Sequence, residues 1–210
     1  MRHLYVVTHP QSQHHVDGLV GGWYDSPLTD LGRAHAVRIG ERLRDVIPSS
    51  EPVEIHSSDL LRAHQTAEGL ALALGAPIFA TADLREKSYG EAEGKPQSWL
   101  DERFVFAPKT GARMDHRDGI AGAESKREFA GRIYRAVEAI LESSCRRHVI
   151  VTHGFALTFV VAAWIKMPLE SAGHINVRSS SGGITHLFED DAFHNRAIIS
   201  VNDTSHLGPG

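Results

Sequence analysis

Two short apolar runs constrain this chain more than any other feature, and both stop at the same dipeptide. The first is Leu4-Tyr5-Val6-Val7, followed by Thr8-His9-Pro10. The second is Val149-Ile150-Val151, followed by Thr152-His153-Gly154. Runs of this length, rich in β-branched residues and flanked by polar or turn residues, read as buried strands. In an open parallel sheet, reactive side chains gather where strands end and helices begin. Two histidines at two such ends predict a single site on which His9 and His153 converge.

The rest of the chain alternates in the same way. Strand patterns recur at 53–56, 78–80, 183–188 and 197–201, besides 4–7 and 149–152. Thr29 or Asp30 is placed to cap a helix running to about Val46, with Pro48 closing it. Ser58 or Asp59 is placed to cap a second over 60–74, with Gly75 at the stop position. A third opens near Ser125 and keeps Phe129, Ile133, Val137, Ile140 and Leu141 on one apolar face. A fourth follows Gly154. Its apolar run, 155–165, is interrupted by Thr158, is too short to cross a bilayer, and reads as a buried helix. The expected fold is a three-layer α/β/α sandwich with a mostly parallel central sheet, one domain spanning residues 1–210. The segment 107–123 is rich in Gly, Arg and Asp and poorly periodic. It reads as an irregular insertion, either a lid over the site or a plain surface loop.

Composition removes several classes of function. A net charge of −4 over 210 residues argues against a nucleic-acid binder, although a local cationic cluster still suits an anionic substrate. Cys145 is the one cysteine, so no intrachain disulfide framework exists and a reducing, cytoplasmic setting is expected. The chain enters its first strand without a signal-peptide apolar region, and no membrane partner is expected. Most of the 14 histidines are expected to be unconnected with chemistry.

Between the two Thr-His ends lie an arginine and a glutamate in suggestive settings. Arg62 falls in the first turn of the helix after the strand at 53–56, as either a solvated surface cation or a planar fork for phosphate oxygens. Glu86 opens a Gly-containing loop, Leu84-Arg85-Glu86-Lys87-Ser88-Tyr89-Gly90, where a bare exposed charge is the plain alternative. The cluster His9, His14, His15 also invites a metal reading. It lacks both the paired helical spacing of zinc motifs and an evident carboxylate partner.

Together these segments resemble the histidine phosphatase superfamily, which includes the cofactor-dependent phosphoglycerate mutases and many small-molecule phosphatases. The resemblance covers almost the whole chain. It runs through Asp25-Ser26-Pro27-Leu28-Thr29 with Gly32, the element 57–67, Leu84-Arg85-Glu86 with Gly90 and Glu93-Gly94, Glu124-Ser125, Thr152-His153-Gly154, and Asn202-Asp203-Thr204-Ser205-His206-Leu207. It implies a phosphoglycerate mutase-like fold and assigns roles. His9 would attack phosphorus and become phosphohistidine. Arg62 and His153 would neutralise the transferring phosphoryl group. Glu86 would protonate the leaving oxygen and then take a proton from water, with Glu91, Glu93 and Asp17 next in line for that task. Thr8, Ser12, His15 and Gly154 would line the substrate phosphate. No cofactor or metal is implied. The implied partner is a small phosphorylated substrate, and the oligomeric state, a homodimer included, is open.

The first motif departs from the pattern. The superfamily normally has arginine where this chain has Thr8 and glycine where it has Pro10. Asparagine is common where this chain has His15, and mutases commonly have arginine where it has Leu19. Losing one charged donor at a developing charge costs about 10²–10³ in rate. His14, His15, His64, Arg113 and Arg117 are the candidates to compensate. The resulting expectation is a phosphatase acting on a small-molecule phosphate monoester through phospho-His9. The alternatives are a binding relative with little turnover, favoured by Thr8, and a mutase, disfavoured by Leu19.

Overall fold

The computed structural model describes residues 1–208. In chain order the elements are β1 (Arg2–Thr8), α1 (Gln13–Val16), α2 (Asp30–Val46), β2 (Glu54–Ser58), α3 (Leu61–Leu74), β3 (Ile78–Thr81), α4 (Gln97–Asp101), α5 (Lys126–Glu142), β4 (Arg147–Thr152), α6 (Gly154–Trp164), β5 (Ile184–Glu189) and β6 (Arg196–Asp203). The six strands form one sheet in the order β3-β2-β4-β1-β5-β6. The first four in that order run parallel, and β5 and β6 are antiparallel additions at one side.

Both faces of the sheet are covered, which is why its central strands read as unbroken apolar runs. Side chains alternate across a strand. Leu4, Val6 and Ile150 therefore face α5 and α6, joining Phe129, Ile133, Val160 and Trp164. Tyr5, Val7, Val149 and Val151 face α2 and α3, joining Ile39, Leu43, Ala67 and Leu70. The helix α6 is buried on nearly every side, as its continuous apolar sequence requires.

Among α2, α3 and α5 the helix starts follow local chemistry with one exception. Thr29 caps α2 by accepting from the Gly32 N–H at 3.0 Å. Ser125 and Glu128 form a reciprocal capping box on α5. The exception is α3, whose N-cap is Leu60 and not Ser58 or Asp59. Asp25, from the loop between α1 and α2, accepts from the Leu61 N–H at 2.6 Å and supplies the missing cap. Asp59 is drawn away by a two-point ion pair with Arg85, and Ser58 stays in β2.

The segment 107–123 is irregular but for one short helical turn at Arg113–Asp115, and much of it is exposed, yet it carries buried anchors. Ile120 and Ala123 join Val20, Ala92 and Leu100 in a small third core, and Met114 is buried.

Candidate active site

The site is built by register. Strands β1 and β4 pair in parallel with Thr8 opposite Thr152. The two Thr-His dipeptides therefore end side by side, and the His9 N–H donates to the Thr152 carbonyl at 3.0 Å. The rings of His9 and His153 meet edge to face with centroids 5.0 Å apart.

Hydrogen bonds set the state of each ring. The His9 Nδ1 lies 2.8 Å from the Pro10 carbonyl, which accepts only, so Nδ1 carries the proton. Nε2 is left as a lone pair, and the Arg62 Nε–H donates to it at 3.2 Å. Burial and then the Arg62 charge hold the His9 pKa well below its ordinary value. Arg62 itself is buried and donates to the carbonyls of Tyr24 at 2.8 Å and Gly22 at 2.7 Å. Burial lowers its pKa to about 10, which leaves it charged at neutral pH.

His153 caps α6 and is fully buried. Its Nε2 lies 2.9 Å from the Ser58 hydroxyl, which accepts from the Leu60 N–H and so has its own proton free for that ring nitrogen. The opposite nitrogen, Nδ1, is buried with no partner. An unsatisfied buried polar group costs about 1–3 kcal/mol, so this atom is expensive unless a ligand meets it. Sequence reasoning took Ser58 as a helix cap and missed its contact with His153.

Glu86 reaches the first turn of α6. Its Oε2 accepts from the Phe155 N–H at 2.9 Å and its Oε1 from the Lys87 N–H at 2.8 Å. Burial raises its pKa despite those two bonds, the direction a general acid needs. Its loop is gripped from behind by Arg132, which donates to the carbonyls of Asp83, Arg85 and Glu86 and forms a two-point ion pair with Glu124. Glu124 also accepts from the Ser88 N–H. A further buried pair, Lys87 with Asp118, ties the loop to the insertion. Arg132 escaped the sequence reading. Its signal is an arginine between Phe129 and Ile133, on the face of α5 that is otherwise apolar.

The remaining candidates divide. Thr8, His15 and Gly154 line the hollow beside His9, together with Ser179, Ser180 and Ser181. The Thr8 hydroxyl, however, donates to the Ser180 carbonyl at 2.6 Å and is not free for a phosphate. Ser12 is a correction. It is fully buried and its hydroxyl serves His14 and His15, because it caps α1 instead of facing the hollow. His14 is buried against Ser26 and Ser12, and burial lowers its pKa to about 3, so it is no replacement cation. The ring of His15 stacks on His9 with centroids 5.5 Å apart, and its pKa is also lowered, by desolvation and then by Arg62. His64 faces Glu68 along α3. Arg113 donates to the Gly173 carbonyl, and Arg117 to the Ala123 carbonyl and Glu128, so neither enters the hollow. Glu93 is spent on Ser88 and Tyr89, while Glu91 and Asp17 are exposed. The rings of His14 and His15 both turn Nδ1 to the Ser12 hydroxyl, and His9 turns its Nδ1 to the Pro10 carbonyl. Among the described residues, the grouping of three metal-ligand atoms lies elsewhere.

Two more pieces have roles that the sequence reading did not assign. The terminal motif holds the loop that lines the hollow: Asn202 accepts from the Ser180 N–H at 2.7 Å and His206 bonds the Gly182 carbonyl. Arg178, exposed in that loop, lines an adjoining hollow with Tyr89, Gly154, Phe155 and Asn176.

Comparison with known proteins agrees with this arrangement. The model of the histidine phosphatase superfamily (branch 1) matches residues 4–199. The chain is 32% identical over 182 residues to a Salmonella paratyphi C (strain RKS4594) protein named "Probable phosphoglycerate mutase GpmB", covering 86% of this chain and 83% of that one. Its fold is similar to that of Bacillus stearothermophilus YhfR, with a TM-score of 0.77 and 27% identity over 98% of each chain. A mycobacterial glucosyl-3-phosphoglycerate phosphatase is similar too, with a TM-score of 0.76 and 26% identity over 97% of this chain and 99% of that one. The chain belongs to the histidine phosphatase superfamily.

Two outcomes are expected. His9, His14, His153 and His186 all have folded-state pKa values below the unfolded value of about 6.5. The unfolded chain then binds more protons than the folded one below that pH, so stability is full above it and falls as pH drops. The thermal midpoint should be flat from pH 8 to 7 and decline steadily from pH 6.5 to 4. A midpoint that holds or rises down to pH 5 contradicts the buried neutral histidines. Separately, Ser58→Ala frees the His153 ring. It should lower kcat roughly tenfold or more, while Ser58→Thr, which restores the hydroxyl, should recover most of the loss. Loss of stability without a change in kcat would limit Ser58 to the fold.

Proposed function

We propose that this protein is a phosphatase that hydrolyses a small-molecule phosphate monoester through a phosphohistidine at His9. The observation that carries the reading is the His9 ring. It is neutral, its Nε2 is a lone pair, and that atom faces a buried arginine beside a second histidine with an unpartnered nitrogen. A neutral nucleophile avoids placing negative charge next to an anionic phosphate.

In the first step the Nε2 lone pair forms a bond to phosphorus as the bond to the leaving oxygen breaks. Glu86, whose pKa burial pushes above the ordinary carboxyl value, gives its proton to that oxygen. Arg62 and the His153 Nδ1–H stabilise the equatorial oxygens. In the second step water attacks phosphorus and loses a proton to Glu86. The N–P bond breaks, and inorganic phosphate leaves with His9 neutral again. An additional anionic group on the substrate would meet Arg178 at the mouth. The relatives named as a probable phosphoglycerate mutase and a glucosyl-3-phosphoglycerate phosphatase suit such a substrate. Leu19 is partly buried with its backbone bridged to Pro96 and brings no second cation, which weighs against the mutase reading.

One observation favours a second reading, a relative that binds a phosphorylated ligand without turnover. The Thr8 hydroxyl is occupied, so the cation that the resemblance puts there has no substitute on β1. Rapid quenching during turnover of phosphorylated metabolites separates the two. The account expects phosphate on His9, stable to base and labile to acid, and none in His9→Ala. Ligand binding without any turnover would support the second reading, and turnover without label would favour direct attack by water.

The acid has its own test. An alkyl phosphate leaves as a strongly basic alkoxide, whereas nitrophenyl phosphate leaves as a weak base. In single-turnover bursts, Glu86→Gln should slow phosphorylation of His9 by about 10²–10⁴ for alkyl esters and far less for nitrophenyl phosphate. Equal slowing of both would make Glu86 a positioning residue.

A further inference from the structure

We propose that Glu54, His56 and His148 form a binding site for one divalent cation of the zinc class, at the end of the sheet away from the phosphate site. His148 and His153 are five residues apart on one extended strand, roughly 16 Å at about 3.3 Å per residue. Glu54 and His56 alternate on β2, and His148 pairs with Glu54 in register on β4, so all three share one sheet face.

The electron pairs point inward. The His148 Nε2 lies 2.9 Å from the Cys145 carbonyl and must carry its proton there, which leaves Nδ1 as a lone pair. A backbone carbonyl on the far ring nitrogen is the usual orienting partner of a metal-bound histidine. The Ser143 hydroxyl donates to the Glu54 Oε1 at 3.0 Å, turning Oε2 toward the two rings. That oxygen lies 3.4 Å from the His56 Nε2 and 3.6 Å from the His148 Nδ1, and the two nitrogens are 3.3 Å apart.

Hydrogen bonding accounts for only one of these contacts, since a proton on His56 Nε2 can meet the His148 Nδ1 at 3.3 Å but then leaves the Glu54 Oε2 without a donor of its own. His56 Nε2 has at most one proton for two acceptors, and the two carboxylate separations exceed a normal N–H···O distance of about 2.7–3.2 Å. A tetrahedral cation accounts for them. Ligand atoms about 2.05 Å from zinc lie about 3.3–3.4 Å apart along a tetrahedron edge. Two imidazoles and a carboxylate are the ligand types zinc takes, with a fourth position left for water. Glu54 and His56 are partly exposed, so an ion has an entry path, while His148 is buried. Such an ion would pin β2 to β4. It has no part in the phosphoryl transfer proposed above, and the site does not rest on that proposal.

The test is titration of chelator-treated full-length protein with Zn²⁺ by calorimetry and with Co²⁺ by visible absorption. The wild type should bind one ion per chain at micromolar affinity or tighter, with the visible band of four-coordinate Co²⁺. Removing a partner that merely orients a ligand costs about 10–100-fold in affinity, so removing a ligand in Glu54→Gln or His56→Gln should cost at least about 100-fold. Those two variants avoid the fully buried His148. His9→Ala should bind as the wild type does. Wild-type affinity weaker than millimolar, binding retained in both Glu54→Gln and His56→Gln, or binding abolished by His9→Ala would each overturn the proposal.

Discussion

A buried guanidinium organises this molecule's chemistry. Arg62 has its charge out of water and keeps it by donating to the Tyr24 and Gly22 carbonyls and to the His9 ring. Those carbonyls belong to the loop between α1 and α2, so the shape of that loop is set by the arginine it must satisfy. Gly22 has φ of +54°, and a Cβ there would come within 2.9 Å of the Glu93 carboxylate and 3.1 Å of the Lys87 carbonyl. The loop that presents carbonyls to Arg62 thus also abuts the loop that carries the acid. Gly32 makes the matching approach at the start of α2, where a Cβ would lie 2.0 Å from the Gln11 carbonyl. The loops around His9, Arg62 and Glu86 are therefore held by one set of close backbone contacts.

The acid side shows the same economy of means. Glu86 extends from a loop anchored by buried Leu84 and Ala92 at its two ends, and Arg132, Glu124, Lys87 and Asp118 hold the span between them with charge. The Arg132–Glu124 pair is nearly buried, and breaking such a pair by removing one partner costs about 3–5 kcal/mol. The insertion belongs to this scaffold. Through Asp118 and the backbone bond from the Glu91 N–H to the Ala121 carbonyl it braces the Glu86 loop from outside.

Much of this was legible in the sequence because it rests on periodicity and on strand ends. The doubly covered sheet showed in the β-branched runs, and the meeting of His9 and His153 showed in the repeated Thr-His ending. Arg62 was placed correctly by its position in a first helical turn. What stayed hidden depends on contacts between distant segments. Asp25 caps a helix 36 residues away, so the local candidates Ser58 and Asp59 were misread. Ser12 and His14 look like site residues from their closeness to His9 in sequence, yet the chain turns and buries them. Thr8 was expected to face phosphate, but a loop 172 residues later captures its hydroxyl. Arg132 broke an apolar pattern, a sign that an arginine there has buried work, but the pattern alone does not say which loop it holds.

The central claim is that His9 is a neutral nucleophile with its proton on Nδ1 and its lone pair on Nε2 before any substrate arrives. Nitrogen-15 NMR of the histidine rings tests it directly, with His9 assigned by the signals lost in His9→Gln. The account predicts a protonated Nδ1 and an unprotonated Nε2 at pH 7, persisting as the pH is lowered past 6. An imidazolium at pH 7, or the opposite tautomer, would contradict it.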